Sequence, residues 1–271
     1  MDKRAWLLGI GMGLLGLALG GLAVGAFMMQ PGYIPPLKVV GDVEHSLTLK
    51  NINQAGHPEK ITFQATRYRA VRLAEVINAA APVGKATELY LIGDDGFTSA
   101  IDAGEIADCY LSYTASNGWE AVNLDHPVNS NVKSLREIVV VSDGSDGNFG
   151  LSVTSPTVVL VRVTPGQMLT HNLLEYFFHE GDASVQNTGQ TYDSSVYTLR
   201  QVFRLSDLTP VNEGDQILVV DGNGGSQLLD NDGYFEVKDN RIDYLLPDDQ
   251  TTVEDVRRVI IDPAAGKSSG E

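Results

Sequence analysis

Short apolar runs separated by turn residues recur along most of this chain, and this pattern predicts β-strands. The runs lie at 37–43, 46–49, 60–64, 88–92, 97–101, 108–114, 136–141, 157–163, 216–220, 234–237 and 256–261. Apolar residues at 71, 73, 76, 77 and 80 instead follow the spacing of one helix face and predict a helix over 71–80, ended by Pro82. Shorter helices are predicted over 103–107, 170–178 and 196–205, with a polar loop over 181–195. Many strands with few, short helices predict an α+β fold with mixed or antiparallel sheets.

The N-terminal segment from Ala5 to Met29 has a different pattern, with no charged residue over 25 positions. As a helix it would be roughly 37 Å long, enough to cross the hydrocarbon core of a bilayer. Because Lys3 and Arg4 precede it, the positive-inside rule predicts a single-pass anchor in the cell membrane. Residues 1–4 would be cytoplasmic and the remainder extracytoplasmic. A cleaved signal peptide is the alternative, although its apolar region is shorter, at about 7–15 residues.

Glycines within residues 5–29 recur four positions apart, at 9 and 13, 16 and 20, and 21 and 25. This small-xxx-small spacing allows close contact between membrane helices, so it predicts a homodimer or a protein partner at this helix. The alternative is that glycine is simply frequent in membrane spans.

An internal repeat relates two parts of the chain. Residues 89–101 align with 217–229 at a constant offset of 128, and each segment contains an acidic, glycine-rich turn, at 93–96 and at 221–224. Flanking segments extend the similarity upstream and downstream, where residues 132–138 resemble 253–259. Two copies with so long a period predict two similar domains rather than a solenoid.

The repeat and the composition shifts together predict six segments. They are a transmembrane anchor over 1–30, an extended linker over 31–36, a first domain over 37–143, a linker over 144–155, a degenerate repeat of the domain over 156–262, and a disordered tail over 263–271.

The formal net charge of −16 is distributed through the turns and predicts a solvated acidic surface. No basic cluster in the sequence could neutralise a phosphate backbone, so nucleic-acid binding is excluded. Cys109 is the only cysteine; an intrachain disulfide is therefore impossible, and a buried, unreactive thiol is expected.

Several motifs of the first domain resemble a known family when taken in order. They are the opening segment 37–43, the helix start 68–77, the Asp-Gly-aromatic turn at 95–97, His126-Pro127-Val128, and the segment 132–138. Over residues 37–142 the chain resembles the oxidoreductase molybdopterin-binding domain, which has the sulfite oxidase-like fold. The resemblance implies two related sulfite-oxidase-like units with mixed sheets, one for each copy of the repeat.

In that family a cysteine thiolate binds molybdenum upstream of the helix start, but residues 61–67 contain no cysteine here. We therefore predict a domain without cofactor, and keep molybdopterin as the alternative. If the cofactor is bound, the resemblance and the need for cationic donors implicate the following residues: Arg67, Arg69, Arg72, Asp95 and His126.

The acidic turns of the second copy are also compatible with calcium. The candidate ligands are Asp221, Asn223, Asp230 and Asp232, although their spacing departs from that of an EF-hand. Turn formation is the competing interpretation. The histidines lack the spacing of a zinc hydrolase, and neither a Gly-x-Ser-x-Gly elbow nor a Walker loop is present, so no catalytic residue and no other metal site are predicted.

These observations predict a membrane-anchored, extracytoplasmic binding or assembly module, as an accessory subunit of a membrane complex. One alternative is a molybdopterin-dependent oxidoreductase of a small substrate, and another is a calcium-dependent surface module. Enzymatic activity stays open, with a non-enzymatic role favoured.

Overall fold

The computed structural model describes residues 35–125, 131–144, 149–171, 173–187, 190–229, 233–246 and 252–262. Of the residues that the structure describes, strands account for 55% and helical residues for 12%, so the fold is mostly β and the predicted α+β class is wrong. Among the described residues there are four sheets and three short helices.

The first half of the molecule contains nine strands and one helix. Its strands are β1 (Leu37–Gly41), β2 (Leu47–Leu49), β3 (Glu59–Phe63), β4 (Thr66–Arg72), β5 (Ala86–Gly93), β6 (Thr98–Asp102), β7 (Cys109–Thr114), β8 (Gly118–Asn123) and β9 (Leu135–Ser142). Helix α1 is Leu73–Ala80, and single 3-10 turns lie at Ile52–Gln54 and Ala103–Glu105.

The second half contains ten strands and two helices. Its strands are β10 (Leu151–Thr154), β11 (Val159–Val163), β12 (Leu174–Asn187), β13 (Gln190–Arg204), β14 (Gln216–Asp221), β15 (Ser226–Leu229), β16 (Tyr234–Lys238), β17 (Arg241–Leu245), β18 (Thr252–Val253) and β19 (Val256–Asp262). Helices α2 (Pro165–Leu169) and α3 (Leu205–Leu208) are each about one turn long.

One five-stranded sheet in each half has the same strand order. The order is β2-β1-β9-β5-β6 in the first half and β11-β10-β19-β14-β15 in the second. In both sheets only the pairing of the second with the third strand is parallel. Each of these sheets packs its apolar face against a core of its own, so each half has a separate hydrophobic centre.

The repeated turns also share their hydrogen bonds. In the first half the Asp94 amide donates to the Ser134 carbonyl at 2.9 Å, and in the second the Gly222 amide donates to the Asp255 carbonyl at 2.8 Å. Ser134 and Asp255 both have a positive φ, 47° and 51°. The offset of 128 residues in the sequence therefore corresponds to two equivalent places in the fold.

The largest departure from the sequence prediction is a long hairpin. Residues 170–178 and 196–205, predicted as helices, and 181–195, predicted as a loop, belong mainly to β12 and β13. The pairs run from Leu174↔Val202 to Asn187↔Gln190. The spacing of the apolar residues in these segments fits both a helix, with a period of 3.6 residues, and a strand, with a period of two. Backbone pairing across the hairpin selects the strand. Only α3, at the end of the second segment, is helical.

The predicted membrane anchor over residues 5–29, with its glycine contact face, lies outside the described residues. Spanning a bilayer takes about 20 apolar residues in a helix. In the part of the chain that the structure describes, the longest helix is α1 with eight residues, and no helix is long and apolar enough to cross a membrane. The described residues therefore give no support to the single-pass anchor or to the cell-membrane localisation with a cytoplasmic N-terminus.

A buried carboxylate joins the two halves. Asp42 follows β1 and is 0% exposed. Its oxygens accept hydrogen bonds from the Ser142 amide (2.7 Å) and hydroxyl (3.0 Å), and from the Thr164 hydroxyl and Gly166 amide of the second half (both 2.7 Å). Burial raises the pKa of Asp42, and these donated bonds offset part of the rise. Gly166 is required here, because a Cβ atom would lie 2.2 Å from the Val140 carbonyl oxygen.

Candidate functional site

The candidate site is a cavity of about 460 Å³ on the outer face of the second half. It lies above strands β11, β10 and β19 and beside the turn that follows β14. Its lining includes Phe149, Gly150, Ser152, Arg162, Arg257 and Arg258. Three arginines at one cavity distinguish this surface from the rest of an acidic chain.

Strand register brings two of these arginines together. Ser152 pairs with Arg162 on β11 and with Arg258 on β19, so the three residues form one row across the sheet. The adjacent row, Val153 with Val161 and Val259, faces the core. Since side chains alternate along a strand, Arg162 and Arg258 both face outward, two strands or roughly 10 Å apart.

The third arginine, Arg257, precedes Arg258 on β19 and borders two cavities. Its guanidinium pairs with the Asp255 carboxylate at 2.8 Å and lies 5.7 Å from the centre of the Phe149 ring. Phe149 and Arg257 also line an adjoining cleft of about 550 Å³, which reaches the first half at Val43. The ion pair and the ring contact hold Arg257 at the border between the two spaces.

Within the described residues, neither Arg162 nor Arg258 has a carboxylate or another hydrogen-bond partner. Acidic residues outnumber Lys and Arg in this chain by 35 to 19, so two arginines in one row without a carboxylate among the described residues are unexpected. Arg162 and Arg258 carry like charges on the two strands that flank β10, and an anion between them would reduce their repulsion.

The turn beside the cavity is closed by Asp221, one of the calcium candidates. One oxygen of its carboxylate accepts the amides of Asn223 and Gly225, both at 2.8 Å. This oxygen therefore serves as an internal acceptor of the turn. Asp230 and Asp232 lie outside the described residues. Among the residues that are described, no group of three His, Cys, Asp or Glu side chains could hold a metal ion.

The equivalent row of the first half has no such excess of positive charge. There Lys38 on β1 pairs with Glu137 on β9, at the places that Ser152 and Arg258 occupy in the second half. Burial raises the pKa of Glu137, while Arg136 and Lys38 lower it in part. Among the described residues of this row, the excess of positive charge is therefore present in the second half and absent from the first.

The raised pKa of Glu137 predicts a pH-dependent stability difference. The folded protein binds this proton more tightly than the unfolded chain, in which the glutamate pKa has its ordinary value of 4.5. The free energy of unfolding therefore falls as the pH rises from that value through the raised pKa. We expect Glu137→Gln to gain stability relative to the wild type over that range, measured by urea unfolding at a series of pH values. A constant difference between the two proteins would contradict the assignment.

The structure separates the arginines proposed from the resemblance. Arg67 and Arg69 are exposed and lie on one face of β4, and Arg69 donates to the Asn53 side chain at 2.7 Å. Arg72 lies on the opposite face, paired with Glu59 at 3.0 Å and stacked over Tyr110. These side chains do not converge on one site.

Asp95, a further candidate from the resemblance, lies in an exposed turn. The carboxylate of Asp95 accepts the Phe97 amide at 3.0 Å and so stabilises its own turn. His126 lies outside the described residues.

Cys109 is buried on β7, as the sequence predicts. Burial, followed by the nearby Asp108 carboxylate, raises the pKa of its thiol to about 11. At pH 8 roughly one thiol in a thousand would be ionised. We expect iodoacetamide to leave Cys109 unmodified in the native protein and to modify it in guanidinium chloride, measured by mass spectrometry. A cysteine in the exposed turn, Ser116→Cys, is the control and should react rapidly; equal rates at both positions would contradict the prediction.

No protein-family model matches this chain, and no curated protein matches it. The resemblance to molybdopterin-binding domains and the cofactor that it implies therefore stay predictions, without support from known relatives. The arguments for function depend on the cavity itself.

The sequence analysis did not identify the three arginines of the cavity. Arg257 and Arg258 are adjacent in sequence, but Arg162 is almost one hundred residues away, inside an apolar run. A charged residue interrupting the predicted strand 157–163 was the one available signal. Only the register of β10 with its two neighbours shows that Arg162 and Arg258 share a face.

Proposed function

We propose that this protein is a binding module that holds an anionic group, a carboxylate or a phosphate, at the cavity formed by Arg162, Arg257 and Arg258. The observation that carries the proposal is the pair of outward-facing arginines, Arg162 and Arg258, which no described carboxylate neutralises in a chain of net charge −16. The proposal keeps the binding role predicted from the sequence and assigns it to this cavity.

The chemistry of the row suits an acidic ligand. A guanidinium group offers parallel N–H donors that match a carboxylate or a phosphate in two-point contact. Ser152 lies between Arg162 and Arg258 and adds a neutral hydroxyl donor. A volume of about 460 Å³ lies within the usual range of ligand cavities, roughly 300–1,000 Å³. Two arginines roughly 10 Å apart favour a ligand with two acidic groups or an acidic segment of chain.

Several features favour binding over catalysis. The described lining residues include neither histidine nor cysteine. One oxygen of Asp221 accepts hydrogen bonds within its turn, and no general base lies beside the Ser152 hydroxyl among the described lining residues. The positions of the three arginines therefore support recognition of charge.

Titration calorimetry of the full chain with pyrophosphate and citrate tests the proposal. We expect Arg162→Gln and Arg258→Gln each to weaken binding roughly tenfold or more, because a charge-assisted hydrogen bond contributes about 1.5–3 kcal/mol. Added salt should weaken wild-type binding as well.

The matched control is Arg67→Gln, which removes an exposed strand arginine far from the cavity in sequence. It should leave the affinity unchanged. If the double variant Arg162→Gln/Arg258→Gln binds both anions as well as the wild type does, or if the control loses as much affinity as the cavity variants, the proposal is wrong.

A further inference from the structure

The hairpin of β12 and β13 forms an arm. Strand β12 is the edge of its sheet, and β13 pairs with β16 only at Phe203 and Arg204. Beyond those two residues, neither strand of the hairpin has another neighbouring strand in the described part of the chain. From Tyr176 to Asn187 the arm is roughly 40 Å long at about 3.4 Å per residue.

One face of the arm's base is fixed to the body. The Tyr176 ring lies 4.5 Å from the ring of Tyr234 on β16, and Phe178 lies 5.8 Å from the same ring. Arg200 on β13 donates to Glu236 at 2.9 Å. These contacts give the arm a fixed starting point on the second half, from which its distal part extends beyond β16.

The opposite face of the base exposes apolar side chains. Phe177 and Leu199 are cross-strand partners, and they are 65% and 47% exposed. Alternation along the strand places them opposite the face that packs on Tyr234. An exposed aromatic-aliphatic pair of this kind indicates a contact surface.

A second exposed apolar strip adjoins the arginine cavity. Val158, Val159 and Leu160 are 56%, 46% and 45% exposed, and the last two lie on β11. Strand β11 is also an edge strand, so its outer backbone groups have no neighbouring strand among the described residues. Arg162 follows Leu160 by two positions on this strand, so the strip ends beside the cavity.

We propose that the arm of a second copy of this chain docks along the β11 edge, with strand β12 of one copy beside β11 of the other. The acidic part of the arm then lies at the arginine cavity. The inference rests on the proposed function, because it names the anion as carboxylates of the partner's arm. The exchange is reciprocal, so each copy donates one arm and receives one.

Charge complementarity identifies the occupant. Residues 180–196 of the arm contain Glu180, Asp182 and Asp193 but no Lys or Arg, whereas the cavity carries three arginines. The acidic arm and the arginine cavity attract each other, whereas two arms or two cavities would repel each other.

The spacing along the two strands is compatible with this pairing. Glu180 and Asp182 follow Phe177 by three and five positions, roughly 10–17 Å along an extended strand. If Phe177 of the partner lies beside Val159 and the strands run in the same direction, position 180 of the partner lies beside Arg162.

Reciprocal docking also covers the exposed edges. Edge strands with exposed apolar residues promote uncontrolled association unless another strand covers them. Addition of an extended strand to a sheet edge satisfies the backbone groups of both strands, and the side chains of the two edges set the specificity. Two identical contacts related by a twofold axis produce a closed dimer rather than a filament.

The test is charge-swap complementation with the full chain, followed by sedimentation velocity and light scattering. The cavity variant Arg162→Glu/Arg258→Glu and the arm variant Glu180→Lys/Asp182→Lys/Asp193→Lys should each be monomeric where the wild type is a dimer. Mixed together, they should form a dimer of one chain of each kind. In that dimer the acidic arm of the cavity variant meets the arginines of the arm variant, and the lysines of the arm variant meet the glutamates of the cavity variant. Restoration on mixing also shows that both variants are folded.

An uncharged variant gives an independent measurement. Phe177→Gln/Leu199→Gln keeps all charges and should raise the dimer dissociation constant roughly tenfold or more. Arg67→Glu is the control and should dimerise like the wild type. A wild type that is monomeric at the highest concentration reached, or a cavity variant that dimerises normally, would overturn the inference.

Pyrophosphate titration of the arm variant separates the two proposals. If the arm variant binds pyrophosphate through Arg162 and Arg258 but the wild type does not dimerise, the proposed function holds and only the arm docking is wrong. If both hold, the arm variant should bind pyrophosphate more tightly than the wild type, because no partner arm competes for the cavity. If cavity substitutions leave pyrophosphate binding unchanged, the proposed function fails.

Discussion

Replacing Asp42 by alanine is expected to lower the free energy of unfolding by about 2–6 kcal/mol, at about 1–3 kcal/mol for each buried backbone donor left without an acceptor. Asp42 is fully buried, and its carboxylate is the acceptor for the Ser142 and Gly166 amides. The Thr164 and Ser142 hydroxyls can reorient after the substitution, but the two amides cannot. Urea unfolding followed by circular dichroism measures the loss.

The position of Asp42 explains why the loss is large. It joins β1 and β9 of the first half to the start of α2 in the second, so its removal weakens the contact between halves as well as the local loop. A total stability of about 5–15 kcal/mol is typical, and the variant would lose a large part of it.

Asp95→Ala is the control for this experiment. Asp95 also accepts a backbone amide, that of Phe97 at 3.0 Å, but it is exposed, and water can replace the carboxylate. Its cost should not exceed about 1 kcal/mol. Equal losses for the two variants, or an Asp42→Ala protein as stable as the wild type, would contradict the role assigned to Asp42.

Replacing Asp243 by alanine is expected to cost about 1.5–3 kcal/mol, the contribution of a hydrogen bond to a charged group, because its two cationic partners are 41% and 39% exposed and water can solvate them. Asp243 is 0% exposed on β17, and its carboxylate lies 3.3 Å from both Lys238 and Arg241. It also accepts the Asp255 amide at 3.0 Å. The substitution removes a counterion from Lys238 and Arg241 and leaves the Asp255 amide without its acceptor. Thermal and urea unfolding of the full chain measure the effect.

The same substitution should also weaken anion binding at the cavity. Asp255 has the positive φ of 51° and pairs with Arg257, so the Asp243 carboxylate holds the segment that positions this arginine. We expect a lower pyrophosphate affinity in Asp243→Ala below its unfolding temperature.

Glu254→Ala is the matched control for Asp243. Glu254 pairs with the same Arg241 at 3.3 Å but is 66% exposed, and exposed ion pairs contribute about 0–1 kcal/mol. The comparison therefore varies burial while the cation stays the same. If removal of either acid costs the same, the buried network around Asp243 is not a main source of stability.

Local sequence signals were sufficient to predict a helix or strand when all of its determinants lie within one segment. The helix predicted over 71–80 is present as α1, shortened to Leu73–Ala80, because the apolar spacing and Pro82 act within that segment. The strand predicted over 88–92 lies inside β5 for the same reason. The hairpin of β12 and β13 shows the limit, since its apolar residues satisfy helix and strand periods and only cross-strand pairing distinguishes them.

The candidate site was the least predictable part. Arg67, Arg69 and Arg72 are close in sequence and therefore suggested a cluster, but the alternation of β4 separates them between two faces. Arg162 and Arg258 are far apart in sequence and form the site, because β10 pairs with β11 on one side and β19 on the other.

By itself, the sequence determined the repeat and its turns, since glycines and acidic residues at the same offset impose the same local hydrogen bonds at Gly96 and Gly224. Tertiary structure alone decided which charges meet, because long-range strand pairing sets the register, and a shift of one residue would turn Arg162 from the outer face toward the core. It likewise decided that Asp42 joins the halves, since its partners Ser142 and Thr164 lie one hundred residues or more further along the chain.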